Sequence, residues 1–226
     1  MPKAKINDIF VSFQGEGKFI GQEQCFVRFY DCNLNCEFCD TKMNTFSEYT
    51  SFELIGKIKE TIGEAEIKTV SITGGEPLLQ RDFLLEFLPK LKTEGFSVYL
   101  ETNGVLHDEL FDIIDYVDII SMDIKLPSST KQRPFWKEHA EFLKISKDRD
   151  TFVKAIICIN TTLDDFKKAV DLVSNINSKI TFVLQPNTSE LGRDLADKLQ
   201  EFKRYSKDYL CDVRAIPQLH KIVGVK

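Results

Sequence analysis

Seven short runs rich in β-branched and aromatic residues punctuate the chain: CFVRFYD (25–31), KTVSIT (68–73), FSVYLET (96–102), YVDIISMDIK (116–125), TFVKAIICI (151–159), KITFVLQ (179–185) and CDVRAI (211–216). Such runs read as strands. Between them FELIGKIKETI, DFLLEFLPKLKTEG, HDELFDII, LDDFKKAVDLVSNI and LGRDLADKLQEFKRY carry apolar residues at helical spacing. Alternation of this kind favours an α/β fold with a parallel sheet and right-handed crossovers, open or curled into a partial barrel. At 226 residues and 42% apolar composition the chain can bury one sizeable core, which predicts a single domain over 1–226.

Parallel α/β folds place their sites at the carboxyl ends of the strands, so polar and glycine-bearing motifs should follow the strands. They do, as DCNLNCEFCDT, TGGEP, ETNG, SMDIKLPSS and QPNTS in chain order. The stretch 126–150, with Pro127, Ser128, Ser129, Pro134 and Trp136, reads as a mobile or substrate-covering loop.

The formal charge of −5 argues against a nucleic-acid-binding surface and suits a small substrate. No apolar run is long enough to span a membrane, and MPKAKINDIF lacks the apolar core of a secretory signal, which predicts a cytoplasmic protein. Six cysteines are too few for a disulfide scaffold. Cys25, Cys158 and Cys211 lie in or beside apolar runs and read as small buried hydrophobes. His107 and His139 fall in segments that read as surface helix and receive no role.

Cys32, Cys36 and Cys39 differ, because their C-x3-C-x2-C spacing lets one loop bind three irons of a 4Fe–4S cube. The fourth iron is left open to chelate S-adenosylmethionine. Zinc is the competing reading, but it prefers four closed ligands and no fourth Cys or His stands nearby. Downstream, Gly74, Gly75, Glu76 and Pro77 follow a strand, and paired glycines allow close backbone approach to a bound zwitterion.

With Phe38 before the last cysteine and the TGGEP loop, the chain resembles the radical S-adenosylmethionine (SAM) superfamily. The segments FVSFQGEGKFIGQEQCFVRFYDCNLNCEFCDT and PQLHKIVG narrow this, over essentially the whole chain, to a resemblance to the 7-carboxy-7-deazaguanine synthase family. That resemblance implies an incomplete β/α barrel, a homodimer, an electron donor such as flavodoxin or ferredoxin, and the cofactors 4Fe–4S cluster, SAM and Mg²⁺. The implied reaction converts 6-carboxy-5,6,7,8-tetrahydropterin to 7-carboxy-7-deazaguanine with ring contraction and loss of ammonia.

Site residues follow from the same resemblance. Arg28 shares strand parity with Phe26 and Cys32 and would meet the substrate carboxylate, unless it makes an ordinary salt bridge. Ser12, Phe13, Gln14 and Glu16, in a substrate-binding extension over 1–24, would hold the pterin, with Thr73 also touching it. His220 and Lys226 would close the site from a tail spanning 211–226. Thr41 would ligate Mg²⁺, although a hydroxyl there also suits a helix cap or turn. Around SAM the resemblance implies Phe38, Asp40, Gly74, Gly75, Glu76, Gly104, Asp123, Ile124, Lys125, Gln185, Pro186, Asn187 and Thr188. Asp123 and Lys125 would serve the ribose hydroxyls and the cofactor carboxylate, or pair with each other. Glu101 ends a strand facing the same region and reads as a supporting carboxylate or a strand terminus. Two other readings are a glycyl-radical activating enzyme, with the same cysteine spacing, and a non-catalytic iron–sulfur electron carrier.

Overall fold

The computed structural model describes residues 2–39, 41 and 43–224. Among these, nine strands form one sheet in the order β3-β1-β2-β4-β5-β6-β7-β8-β9. They are β1 (Ala4–Phe13), β2 (Glu23–Phe29), β3 (Ser47–Tyr49), β4 (Thr69–Gly74), β5 (Ser97–Thr102), β6 (Ile119–Asp123), β7 (Asp150–Ile157), β8 (Thr181–Pro186) and β9 (Val213–Ala215). From β2 to β9 all neighbours are parallel, whereas β1 runs antiparallel to both β2 and β3. The sheet stays open, as a partial barrel does.

Seven strands, β2 and β4 to β9, are those legible in the sequence. β1 was not, because its inside/outside alternation is broken by an irregularity between Ile6 and Asp8, and β3 is only three residues long. The predicted helices form as α1 (Ser51–Ile62), α2 (Arg81–Thr93), α3 (His107–Ile113), α6 (Leu163–Asn177) and α7 (Arg193–Ser206), joined by α4 (Pro127–Thr130), α5 (Trp136–Ser146) and α8 (Leu219–Val223). Local chemistry sets their ends. Thr50 and Glu53 make a reciprocal capping box at α1, and the Thr162 side chain caps α6.

Strand parity sorts side chains into two faces. On β7, Val153, Ala155 and Ile157 join the main apolar core, which also takes in helix residues such as Leu54, Phe87 and Phe166. Phe166 stacks on Phe202 with ring centroids 4.1 Å apart, locking α6 to α7. The opposite face begins with a smaller cluster of Tyr99, Phe152 and Val183, and above it turns polar. This second face is the floor of the site.

Three expectations are overturned here. The 126–150 stretch is no open loop, since α5 puts Trp136, His139, Phe142 and Leu143 on one face and packs against α3 and α6. His139 is fully buried, not on the surface. Cys25 and Cys158 are buried as expected, but Cys211 is exposed in the connection entering the edge strand β9.

Candidate active site

A cavity of about 590 Å³ opens at the carboxyl ends of the parallel strands. Its size suits a small-molecule ligand. Arg28, Phe38, Thr41, Thr73, Gly74, Gly75, Asp123, Lys125 and Asn187 line it together with the three cysteines Cys32, Cys36 and Cys39. Phe13 reaches it from the end of β1, Gln14 and Glu16 from the turn that follows, and His220 from the carboxyl-terminal tail.

One wall is a closed polar network. Gln14 Nε2 donates to Glu101 Oε1 at 2.8 Å, and Thr73 Oγ1 donates to Glu101 Oε2 at 2.9 Å. Glu16 accepts from Lys154 Nζ at 2.5 Å and from Gln218 Nε2 at 2.7 Å. Gln218 accepts in turn from Thr188 Oγ1 at 2.7 Å, and the Leu219 N–H donates to the Gly15 carbonyl at 2.8 Å, fastening the tail to the turn. Burial alone would raise the Glu16 pKa, but Lys154, Gln218 and His220 overcome it and hold the carboxyl at about 2. Arg28 lies with its guanidinium carbon 5.6 Å from the Phe10 ring centroid.

The opposite wall is the cysteine loop. The Leu34 N–H donates to Cys32 Sγ at 3.4 Å, and the Cys39 N–H donates to the Cys36 carbonyl at 3.1 Å. Partial desolvation in the loop pushes the Cys32 and Cys36 thiols up, with Cys39 adding to both, while Lys125 pulls both down. Lys125 is itself paired with Asp123 at 2.8 Å. Among the described residues no three His, Cys, Asp or Glu side chains already converge on a metal position. The fit to an iron–sulfur cluster lies in the donor set: three thiols from one loop, bordering one cavity, with a cation beside them.

Three hydrogen bonds hold that loop. Asn103 Nδ2 donates to Asn33 Oδ1 at 2.7 Å, Gln132 Nε2 to the Asn35 carbonyl at 2.7 Å, and the Glu37 N–H to the Thr130 carbonyl at 3.2 Å. Asn103 spends its remaining polar groups nearby. Its N–H donates to Glu76 Oε2 at 2.8 Å, its carbonyl meets His139 Nε2 at 3.2 Å, and its Oδ1 accepts from the Val105 N–H at 3.1 Å. One buried asparagine thus ties the glycine motif, the cysteine loop and α5 together.

The glycine motif also packs against the start of the cysteine loop. A β-carbon at Gly75 would stand 2.0 Å from the Asp31 carbonyl oxygen, and one at Gly74, whose φ is 134°, would stand 2.2 Å from that of Phe29. The glycines therefore admit the start of the cysteine loop, and the Gly75 and Glu76 N–H groups donate to Phe29 and Asp31. Glu76 is fully buried behind the cavity and accepts from Thr102, Leu78 and Asn103. Burial raises its pKa to about 7 against those hydrogen bonds.

Other expected residues also stand back from the cavity. Gly104 packs against Met122 and His139, Ile124 is in the core, and Gln185 and Pro186 are buried in β8. Ser12 lies in β1 opposite Gln24, and Thr188 reaches the site through Gln218. Asp40 and Lys226 lie outside the described residues. Sequence reading missed Lys154, Asn103, Ser121 and Gln218 as cavity residues. Lys154 was findable: it is a lone cation at inward parity in the apolar run TFVKAIICI.

The sequence matches the Radical SAM superfamily over residues 26–190. It is 36% identical to the 7-carboxy-7-deazaguanine synthase of Geobacter sulfurreducens, over 99% of this chain and 98% of that protein. It is also 36% identical to the 7-carboxy-7-deazaguanine synthase of Thermoplasma acidophilum, over 96% of each. Among solved structures, the crystal structure of QueE from Escherichia coli superposes with a TM-score of 0.69 at 21% identity, covering 96% of this chain and 95% of that one. A structure of TYW1 with a lysine-pyruvate adduct bound shares the fold with a TM-score of 0.56 at 17% identity, over 83% of this chain and 73% of that one. The sequence, the strand-end cavity and its three thiols agree, and the chain belongs to the 7-carboxy-7-deazaguanine synthase family of radical SAM enzymes.

Proposed function

We infer that this enzyme converts 6-carboxy-5,6,7,8-tetrahydropterin to 7-carboxy-7-deazaguanine, contracting the ring and releasing ammonia. The observation that carries this reading is the placement of Arg28, Glu16 and three thiols around one cavity. A guanidinium meets a carboxylate through two parallel N–H donors, which suits Arg28 to the substrate carboxyl. The N–H edge of an aminopyrimidinone needs an anionic acceptor, which Glu16 supplies.

When bound, the reduced cluster would supply one electron to a carbon–sulfur bond of SAM, which gives methionine and a 5′-deoxyadenosyl radical for hydrogen abstraction. The residues hold and orient around that chemistry. Cys32, Cys36 and Cys39 would carry the cluster. Phe38, Gly74, Gly75, Asp123, Lys125 and Asn187 line the cavity where SAM would lie; the family resemblance adds Asp40, Glu76, Gly104, Ile124, Gln185, Pro186 and Thr188 to its contacts. Thr41 would offer its hydroxyl to Mg²⁺, the substrate and water completing the coordination. Gln14, through Glu101, keeps the substrate wall rigid, beside Ser12, Phe13 and Thr73. His220 and Lys226, on a tail fastened to Gly15, would close over the substrate and exclude water.

On this reading residues 1–226 act as one domain, with 1–24 and 211–226 as the substrate-side flanks. The enzyme would work in the cytoplasm as a homodimer, take electrons from flavodoxin or ferredoxin, and bind neither nucleic acid nor membrane. No helix of the described residues is long and apolar enough to cross a membrane. A comparison of 6-carboxytetrahydropterin with tetrahydropterin lacking the carboxyl tests the reading. Turnover of the carboxylated compound alone is expected; equal kcat/KM for the two would remove Arg28 as a carboxylate receptor and the reading with it.

A further inference from the structure

Lys154 rises from the inner face of β7 between Phe152, in the apolar floor, and Ile156, which also lines the cavity. At 4% exposure its ammonium is too costly to bury without anionic partners. Two walls supply them. Nζ donates to Glu16 Oε2 at 2.5 Å and stands 3.4 Å from Asp123 Oδ1. Glu16 is the closer partner, and its other oxygen is held by Gln218. Each carboxylate oxygen keeps capacity for one more hydrogen bond, and Glu16 and Lys154 both border the cavity.

We propose that Lys154 is a positioning residue for substrate recognition, holding the Glu16 carboxylate ionised and fixed in orientation to receive the N–H edge of the pterin ring. This deepens the proposed function and rests on it. Two observations separate the role from plain charge neutralisation. The pair faces the ligand cavity rather than the core, and Gln218 and Thr188 fix the orientation of a carboxylate whose charge Lys154 alone would balance. The Glu16 pKa of about 2, held there against burial, accords with it. A carboxylate left without Lys154 in this buried place would drift toward protonation and rotate to other donors.

The test is a double-mutant cycle on the reconstituted holoenzyme, comparing wild type, K154Q, E16Q and E16Q/K154Q. The pterin KM, kcat and the SAM dissociation constant are measured for each. K154Q and E16Q are each expected to raise the pterin KM by about tenfold or more, with SAM binding changed by less than about threefold. Because Lys154 acts through Glu16, the double variant should match E16Q within about twofold. The double variant removes both members of the pair, so it reports even where K154Q does not fold. A further tenfold or so lost in E16Q/K154Q relative to E16Q, or equal losses of pterin and SAM affinity in K154Q, overturns the assignment.

The Glu16 carboxyl carbon, followed by ¹³C NMR in the oxidised holoenzyme, gives a reading that does not depend on turnover. Glu16 faces Lys154 from β7 and Gln218 and His220 from the tail, while Asp123 from β6 and Glu101 and Tyr99 from β5 face Lys154. Its titration should move up by more than about one pH unit in K154Q. An unmoved titration overturns the role of Lys154. A moved one, in an enzyme whose wild type leaves the pterin untouched, keeps the role and discards the substrate.

Discussion

The two walls of the cavity are built on opposite plans. The substrate wall stands largely on regular strands, and its carboxylates are already engaged: Glu16 by Lys154 and Gln218, Glu101 by Gln14 and Thr73. The cysteine wall is an irregular connection between β2 and β3, with Cys32 and Cys39 exposed and Cys36 half-buried. It is held by a few hydrogen bonds from neighbours, chiefly Asn103, Gln132 and Thr130. A small polar substrate needs a preformed, desolvated template. A cluster brings its own strong bonds, so the protein need only deliver three thiolates to one place.

The difference can be broken most forcefully at the cysteines. Cys36→Ser should abolish turnover, by a factor on the order of a thousand or more, because one of the three protein ligands is gone. The thermal midpoint of the cluster-free protein should hardly change, since the apolar core lies elsewhere. A large drop in that midpoint would mean that the loop carries part of the fold.

Next in size is a pair of opposing pH dependences behind the cysteine wall. The folded pKa of Glu76, about 7, lies above its ordinary 4.5, so this group's contribution is present at low pH and is lost as pH rises from 4.5 to 7. The folded pKa of His139, about 4, lies below its ordinary 6.5, so its contribution is present above 6.5 and is lost as pH falls toward 4. Each is worth about 3 kcal/mol, and they nearly cancel. In urea unfolding of the cluster-free wild type these two groups should therefore contribute little net pH dependence over the window they share. H139Q should lose stability as pH rises, and E76Q as pH falls. Flat profiles in both variants would contradict these assignments.

On the substrate wall, Arg28→Gln should lower kcat/KM for the carboxylated pterin by about tenfold to a hundredfold, the worth of a charged hydrogen-bonded pair. Iron content should stay unchanged. The smallest effect is expected at Asn33→Ala, which removes one tether of the cysteine loop worth about 1 kcal/mol. Its signature is faster iron loss to a chelator, with the pterin KM unmoved; a shifted KM would show that the two walls are coupled.

The parallel strands and their strand-end motifs were legible because each carries a local signal. Apolar runs mark buried strands, and DCNLNCEFCDT, TGGEP and ETNG mark the loops that follow them. The rest depends on partners distant in sequence. Lys154 and Glu16 are 138 residues apart, Gln218 and Glu16 are 202 apart, and no local pattern pairs them. His139 looked like a surface residue because WKEHAEFLKIS is rich in charge, yet one face of that helix is buried. That the buried Glu76 carboxylate joins the glycine motif to Asn103, 27 residues on, was equally invisible to local pattern. Local composition reports which residues a site contains; the sheet decides which of them face one another.

The most direct test of the account is anaerobic turnover by the reconstituted, reduced enzyme supplied with SAM, Mg²⁺ and 6-carboxytetrahydropterin, read by mass spectrometry. 7-Carboxy-7-deazaguanine is expected, with one ammonia released per product. Formation of 5′-deoxyadenosine without that product, from an enzyme with an intact cluster, would contradict it.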